Sequence, residues 1–498
     1  MDNLSELISL LSTDDFNDFI KYLKQNNKRN DTKNVQLLKF IKTDDIKNIK
    51  KLYKDKKNND AYHALRKRLQ DSLLLFLSNQ TFQNNANEAN KALKLLVVGK
   101  LLYENNLEII AYKCLVKAEM KAIKLEQFSL LNEIYSTRLL YNHLHQKENF
   151  DELSAKFISN QEQLNNEAKL TIAYAQLRKE LEKIIYKGDI IDLETLLQST
   201  MNQYNISLDS ILTYKSLVQI LDIANEYAAI HQNYELVESY IESTYQFLEK
   251  QAQNSEHHLY YHIQILYYLA NFSFRNLNFT QSFSYLNDMY NLMEKQNRLY
   301  YSTFYQKHQL ILALNFHFTN HSEKALEIIE NALKTLSKKV DLSIINDLQA
   351  TYTMFLGQQQ NKLALKEMSK LIHTDSWYEK KVGLLWTIRK NLMEILIHAQ
   401  FENIDFALTR IKSFKRRYKS YLESVKETKV IDYVLLVEKY VQQPTVLENK
   451  TFQEKIEKLQ NLTDQDVFLM SYIGWLKSLH TQKTPYEITL EMIKNKSE

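Results

Sequence analysis

The sequence contains very little glycine, proline or cysteine. Its 498 residues include 5 Gly, 2 Pro and 1 Cys, whereas average chains contain about 7% Gly and 5% Pro. Strand turns, βα loops and phosphate-binding loops all need such residues, and no glycine here lies near another. The scarcity therefore excludes the common nucleotide-binding motifs. It favours an all-α fold, and 44% hydrophobic residues are enough for a large core.

The sequence also lacks long apolar runs. Stretches such as Leu73–Leu77 and Leu95–Val98 are short, and a membrane-spanning helix needs about 20 apolar residues. The N-terminus begins acidic, unlike the basic segment that opens a signal peptide. The one cysteine, Cys114, permits no internal disulfide and lies in an apolar helical run, where we expect a buried structural thiol. These features predict a cytoplasmic protein without a membrane partner.

Positive charge is concentrated near the N-terminus. Residues 1–20 carry five acids and no bases, whereas residues 21–68 carry 16 Lys or Arg against five Asp. The basic segment Lys21–Arg68 and the run Phe414–Lys419 could both meet a polyanion, because clustered cations neutralise phosphates. Solvated helix faces remain the favoured interpretation of both runs.

A spacing of small and large residues recurs along the chain. Gly99 is followed at +12, +16 and +19 by Ala111, Leu115 and Ala118. The two best matches place residues at +9, +12, +16 and +19: Ala270 with Phe279, Ser282, Leu286 and Met289, and Ala313 with Ser322, Ala325, Ile329 and Ala332. Small residues at such positions let two antiparallel helices approach closely, and large ones fill the groove to the next pair.

The pattern covers about 300 residues. Weaker matches link Tyr141 with Phe150, Leu153 and Phe157, Leu181 with Ile190, Leu193 and Leu197, Ala224 with Tyr234, Val237, Ile241 and Thr244, Tyr352 with Ala364, Met368 and Leu371, and Ile395 with Ile404, Ala407, Ile411 and Phe414. The eight anchors are Gly99, Tyr141, Leu181, Ala224, Ala270, Ala313, Tyr352 and Ile395. They recur every 39 to 46 residues, which exceeds the 34 of tetratricopeptide units and overlaps the roughly 40–47 of HEAT units.

The spacing resembles the tetratricopeptide repeat. The resemblance implies an all-α solenoid of about eight antiparallel helix pairs, with helices longer than usual, while HEAT-like geometry stays open. We expect a basic helical N-terminal head at 1–90, the repeats at 91–420 and a C-terminal helical cap at 421–498. This layout, with "YIGWLKSL" near the end, also loosely resembles repeat proteins of Bacteroidota.

The resemblance implies a binding groove lined by the first helix of each pair. Asn225 and Asn271 fall at the same repeat position, where the family often places an asparagine that bonds the backbone of a bound peptide. The lysines of the family's carboxylate clamp are not matched in full. The candidate peptide-binding residues are Asn225, Gln264, Tyr267, Asn271, Phe274, Lys307, Leu310 and His317.

Chemical sites are weakly indicated. His258 and His262 stand four apart and share a helix face, but no third ligand is evident, so we predict no metal site. The dense tyrosines around 260–268 and 300–305 suit either packing or recognition. No paired carboxylates or nucleophile–base motif emerges, so we expect neither an enzyme nor a cofactor.

The leading hypothesis is therefore a non-catalytic scaffold that binds a partner protein or peptide in the concave face of a helical-repeat solenoid. The alternative is a nucleic-acid-binding regulator with a basic head and a ligand-sensing solenoid. A helix-turn-helix reader would want a glycine-containing turn, and residues 1–90 contain no glycine.

Overall fold

A computed structural model places most of the chain in two compact units, Met1–Leu153 and Ser154–Glu498. Its described residues form 24 α-helices and no strand, which confirms the all-α helical-repeat prediction. The expected boundaries after residues 90 and 420 stay predictions. The structure describes residues 3–9, 11–26, 33–43, 45, 59–83, 88–145, 148–187, 193–206, 213–231, 244, 246–248, 256–336, 340–425, 427–463 and 467–497.

The first unit begins with a small helical core. Leu65, Leu69 and Leu73, which recur every four residues along one helix, are buried there, and Phe76 packs against them. The helices of this unit are α1 (Asn3–Ser9), α2 (Thr13–Asn26), α3 (Lys33–Lys42), α4 (Asn59–Gln83), α5 (Glu88–Glu104), α6 (Glu108–Lys124) and α7 (Phe128–Leu140), with a 3-10 turn at Asn142–Leu144.

The pair α5 and α6 follows the predicted spacing. A Cβ added to Gly99 would lie 2.9 Å from Leu115 Cδ2 and 3.4 Å from the Ala111 carbonyl oxygen. Ala111, Leu115 and Ala118 are fully buried. Only a glycine lets these two helices approach so closely. Cys114 is half-buried rather than buried, because it lies beside this packed face and not on it.

The second unit carries the longer series of repeats. Its helices are α8 (Phe150–Glu182, which begins before the division between the units), α9 (Leu193–Gln203), α10 (Tyr214–His231), α11 (Leu259–Arg275), α12 (Phe279–Met293), α13 (Lys295–Arg298), α14 (Tyr301–Phe318), α15 (Ser322–Lys334), α16 (Leu342–Gln358), α17 (Leu363–Met368), α18 (Asp375–Lys381), α19 (Leu384–Gln400), α20 (Ile404–Ser424), α21 (Thr428–Gln442), α22 (Lys450–Thr463), α23 (Val467–Ser478) and α24 (Pro485–Ser497). A π-helical turn at Lys183–Lys187 follows α8, and a 3-10 helix at Pro444–Glu448 follows α21.

The pairs α11–α12 and α14–α15 are the best-preserved repeats, as predicted. Both alanine anchors are fully buried, and so is Ser282, whose hydroxyl donates to the Ala270 carbonyl oxygen at 2.8 Å. Asn315 Nδ2 donates in turn to Ser282 Oγ at 2.9 Å. A small polar residue thus joins the two helices of one pair to the first helix of the next.

The pairs α16–α17 and α19–α20 also form at their predicted anchors. Ala364, Ile395, Ala407 and Ile411 are fully buried. The first helices α11, α14, α16 and α19 are 17 or 18 residues long. However, α17 has only 6 residues, and the extra length of that unit forms the additional helix α18 instead.

The helix pairs predicted at the anchors Tyr141 and Leu181 do not form as predicted. Tyr141 ends α7, Phe150 is 57% exposed, and a single helix of 33 residues runs past Leu181. No glycine or proline interrupts that stretch, so the second helix of one expected pair continues into the first helix of the next. Ala224 lies in α10, whereas Ile190, Tyr234, Val237 and Ile241 lie outside the described residues.

The C-terminal segment of the chain forms the four helices α21–α24. Pro485 occupies the first position of α24, where its missing N–H leaves no helical bond unmade. None of the described helices combines the length and the apolar character that crossing a bilayer requires.

Candidate functional site

Two asparagines lie side by side on neighbouring first helices. Asn225 and Asn271 each follow a buried alanine anchor by one residue, so both occupy the same position of their helices. Asn271 Nδ2 donates to Asn225 Oδ1 at 2.9 Å, and both residues are half-buried. Among the described residues, the Asn225 amide nitrogen and the Asn271 amide oxygen have no partner. The pair therefore has one free donor group and one free acceptor. If the amide O and N atoms of both side chains were assigned the other way round, the pair would still have one of each.

Asp222, one turn before Asn225, is fixed by three donors. The hydroxyls of Tyr174 and Tyr268 donate to its carboxylate at 2.7 and 2.8 Å, and Arg178 Nη1 donates at 3.1 Å. Burial, reinforced by the Asp222 charge, raises the pKa values of both tyrosines above their usual range. These contacts join α8, α10 and α11 and hold the helix that presents Asn225.

Lys307 extends the same side of the repeats to α14. Its ammonium lies 5.5 Å from the centre of the Tyr267 ring and 6.0 Å from that of Phe304. Burial lowers the pKa of Lys307, although Asp341 and Asp222 act in the opposite direction. Among the described residues, no carboxylate forms an ion pair with Lys307. Its charge is held by aromatic faces rather than by an anion.

Asp347 on α16 and Arg389 on α19 lie further along the same side of the repeats. Trp386 Nε1 donates to Asp347 Oδ1 at 2.8 Å. Burial raises the pKa of Asp347 to about 6, against the smaller opposing effects of the Trp386 hydrogen bond and Arg389. Burial and the Asp222 charge also raise the pKa of Glu226, again against Arg389. Arg389 thus acts electrostatically on two poorly solvated carboxylates.

We call this side of α10, α11, α14, α16 and α19 the first-helix face. It carries both polar and aromatic groups that remain accessible to solvent in part. Five of the eight predicted residues are half-buried there: Asn225, Gln264, Tyr267, Asn271 and Lys307. Gln264 contributes a long hydrogen bond, 3.5 Å from its Nε2 to the Tyr268 hydroxyl.

The other three predicted residues are buried. Phe274 and His317 are fully buried, and Leu310 is 6% exposed. The His317 ring stacks on Phe355 with centroids 3.7 Å apart and bonds Ser322 and Gln358. Burial lowers the pKa of His317 to about 3, so this imidazole is a neutral part of the core.

The histidines near the start of α11 also have packing roles. His258 is buried and stacks on Tyr214 with ring centroids 4.4 Å apart. Burial lowers the pKa of His262 to about 4. The described part of the chain contains no group of three or more His, Cys, Asp or Glu placed to hold a metal ion.

Several cations of the two basic runs are engaged within the molecule. In the head, Lys42 Nζ donates to the Leu11 carbonyl oxygen at 3.2 Å. In the second run, Lys415 pairs with Glu438 at 2.8 Å and Arg417 with Glu379 at 2.5 Å. These contacts give the cations structural partners. Binding of nucleic acid by Lys21–Arg68 stays an untested alternative.

The aromatic clusters noted in the sequence pack mainly against one another. The Tyr260 ring lies 5.4 Å from Tyr300 and 5.3 Å from Phe304, and Tyr301 stacks on Tyr305 at 5.2 Å. The contacts of Tyr260 join α11 to α14, whereas the Tyr301–Tyr305 stack lies within α14. The half-buried Tyr267 ring lies 5.6 Å from Tyr268 and also faces Lys307.

Sequence reasoning missed Asp222, Asp347, Trp386 and Arg389. One signal was present: Arg389 lies six residues before Ile395, as Gln264 lies before Ala270 and Lys307 before Ala313. Asp347 and Trp386 share no such position, because their pairing depends on how two helices align. No protein-family model matches the chain, and no curated protein matches it.

Proposed function

We propose that this chain is a non-catalytic scaffold that binds an extended segment of a partner protein along the first-helix face. The observation that carries the proposal is the Asn225–Asn271 pair, which offers one donor group and one acceptor from adjacent helices. An extended peptide presents free backbone C=O and N–H groups to such a pair, whereas a helix uses them internally. The pair therefore selects extended backbone over helix.

The surroundings of the asparagine pair supply contact area and charge. The half-buried Tyr267 ring lies close to Lys307, and tyrosine provides large contact area at low entropic cost. Glu226 follows Asn225 directly and has a raised pKa caused by burial, so a cationic side chain in the partner would stabilise its ionised form. The resemblance to tetratricopeptide repeats supports the same placement of a ligand.

A site-specific photocrosslinker tests this placement in the full chain. We expect benzoylphenylalanine at Tyr267 to capture a partner segment in cells, which mass spectrometry then identifies. The matched control carries the same crosslinker at Glu327, an exposed residue of the second helix α15. Capture from both positions at equal yield would remove the support for a site on the first-helix face.

The asparagine pair is tested with the captured segment as a synthetic peptide. The double substitution Asn225→Ala and Asn271→Ala removes both groups together and leaves no unpaired partner within the pair. We expect affinity to fall about tenfold or more, because two hydrogen bonds of about 0.5–1.5 kcal/mol each are lost. Isothermal titration measures the change and circular dichroism checks the fold. Unchanged affinity would mean that the pair does not hold the backbone.

We place this scaffold in the cytoplasm. The support is chemical: the half-buried Cys114 is the one thiol of the chain, and reducing compartments keep such thiols free. Fractionation of cells tests the placement directly, and recovery of the protein outside the cytoplasmic fraction would contradict it.

A further inference from the structure

The solvent-exposed side of α6, in the first unit, is both apolar and basic. All of its exposed residues are either large apolar residues or lysines. The apolar ones are Ile109, Ile110, Met120 and Ile123, and each is more than half exposed. Apolar residues scattered singly over a surface are common, whereas several on one helix indicate an interaction surface.

The same positions are polar in the two best-preserved repeats. Ile109 and Met120 lie 10 and 21 residues after their anchor, Gly99. At these distances from their own anchors, α12 and α15 carry exposed polar residues, which are Thr280, Asn291, Glu323 and Lys334. Packing of a helix pair therefore does not require apolar residues at these positions, and the repeat pattern leaves those of α6 unexplained.

Four apolar side chains form a stripe along α6, which we call the α6 stripe: Ile109, Val116, Met120 and Ile123. Successive members are separated by 7, 4 and 3 residues, so they lie on one side of the helix. Val116 is half-buried and connects the exposed members. At the usual rise per residue the stripe is about 21 Å long, or about four turns. A narrow stripe of this length suits a second helix that packs along it with an apolar stripe of its own.

Lysines line one flank of the α6 stripe. Lys113, Lys117 and Lys124 are exposed, and helical geometry places all three on the same side of the stripe. Among the described residues, no carboxylate forms an ion pair with Lys113 or Lys117. The helix itself exposes no carboxylate, and its Glu119 is buried against Arg138. This flank is therefore cationic and complements an acidic partner.

A second copy of the chain or a bilayer matches this surface less well. An isologous contact would set α6 against α6, and no exposed carboxylate of one copy would then face the lysines of the other. Helices that lie on bilayers bring Trp, Phe or Leu to the apolar side. The exposed apolar residues of α6 are isoleucine and methionine alone.

We propose that the exposed side of α6 docks an amphipathic helix of a partner protein, whose apolar residues pack on the α6 stripe while its Asp or Glu residues pair with Lys113 and Lys117. Carboxylates three or four residues apart on the partner helix would reach both lysines. The inference stands apart from the proposed function, because it concerns other residues, in the other compact unit, and a helix rather than an extended segment.

A display library of random peptides, selected on the full chain, tests the chemistry of the partner. Counter-selection uses the double variant Ile109→Thr and Met120→Asn, which gives α6 the residues that α12 carries at the same positions. We expect enriched sequences with apolar residues every three or four positions and with Asp or Glu beside them. Enrichment of basic or non-helical sequences, or no enrichment, would overturn the proposal.

The most enriched peptide, fluorescently labelled, then measures affinity by anisotropy. The double variant should weaken binding about tenfold or more, because two apolar contacts are lost. Lys113→Glu with Lys117→Glu should also weaken binding, and exchanging the acidic residues of the peptide for lysine should restore it. The matched control, Glu323→Thr with Lys334→Asn, changes the same positions of α15 and should leave affinity unchanged. Circular dichroism checks the fold of each variant, and equal losses in the α6 variants and the control would refute docking on α6.

Two further measurements test the other occupants. Vesicles of phosphatidylserine and phosphatidylcholine test a bilayer, and sedimentation equilibrium tests self-association. We expect the full chain to show neither vesicle binding nor dimerisation that depends on Ile109 and Met120. Loss of either property in the double variant would assign the surface to lipid or to a second copy, and the helical partner would be wrong.

Discussion

At the scale of single residues, the first-helix face holds charges that are poorly solvated. Asp347 accepts one hydrogen bond, from the neutral indole of Trp386, and burial raises its pKa to about 6. Since the pKa is higher in the folded state than the usual 3.8, this residue favours folding most below pH 3.8. That contribution is lost as the pH rises through about 6.

Replacing Asp347 with asparagine should therefore stabilise the protein at neutral pH. The amide oxygen can still accept from Trp386, while the ionised carboxylate is removed. We expect a gain of about 1–2 kcal/mol at pH 7, after allowance for partial solvent access, and little difference near pH 4. Urea unfolding at the two pH values measures it. Gln359→Ala, at the exposed C-terminal end of α16, is the control and should change stability equally at the two pH values.

A second residue-scale prediction concerns Ser282, which joins α11, α12 and α14. Its hydroxyl donates to the Ala270 carbonyl oxygen and accepts from Asn315. Ser282→Ala should lower the free energy of unfolding by about 1–3 kcal/mol, because it removes both bonds at a buried site. Thermal unfolding followed by circular dichroism measures the loss. Ser302→Ala, at an exposed position of α14, should have little effect.

Single residues were predictable where repeat spacing defines their environment. Asn225 and Asn271 could be aligned because each follows an anchor by one residue, and the structure brings them together. Contacts of Phe274 with Phe468 and of His317 with Tyr486 could not be foreseen. Tyr486 is 169 positions from His317, and no local pattern encodes such a contact.

At the scale of helices, the unexpected element is α18. It begins at Asp375, whose carboxylate accepts from Lys390 Nζ at 3.1 Å, and the same ammonium lies 2.7 Å from Glu394. Although burial raises the pKa of Asp375, Lys390 and Arg410 hold it below the usual range. A buried ion cluster thus attaches an inserted helix to α19 and α20.

Removing the central cation of this cluster should detach α18. Lys390→Met leaves Asp375 and Glu394 buried near each other with only Arg410 to compensate. We expect a loss of about 3–5 kcal/mol and faster hydrogen exchange in α18. Lys380→Met, an exposed position on α18 itself, is the matched control. Equal stability of the two variants would contradict an ionic attachment.

Helices were predictable where apolar spacing was regular and less so at connections. The spacing around Ala270 and Ala313 gave correct pairs because each helix must bury one face against its neighbour. The 43-residue step from Tyr352 to Ile395 suggested longer helices, yet the structure places a short α17 and the inserted α18 there. Step length alone cannot distinguish a longer helix from an additional one.

At the scale of the whole chain, the residues form two compact units, Met1–Leu153 and Ser154–Glu498. We therefore expect a destabilising substitution to act mainly on the unit that contains it. In repeat folds each helical repeat contacts mainly the repeats next to it, so a defect weakens adjacent helices more than distant ones. The pair α5–α6 belongs to the first unit, whereas α11–α20 belong to the second. Damage to one should therefore leave the protection of the other nearly unchanged.

Gly99→Ala tests this expectation. The added Cβ would lie 2.9 Å from Leu115 Cδ2 and 3.4 Å from the Ala111 carbonyl oxygen. Overpacking of about 1–3 kcal/mol should exceed the gain in helix propensity of up to about 1 kcal/mol. Hydrogen exchange should quicken in α5 and α6 while α11–α20 keep their protection, and Glu104→Ala, exposed on α5, should change neither. A uniform loss of protection would instead mean that both units unfold as one, because only a shared transition carries a local clash from one compact unit to the other.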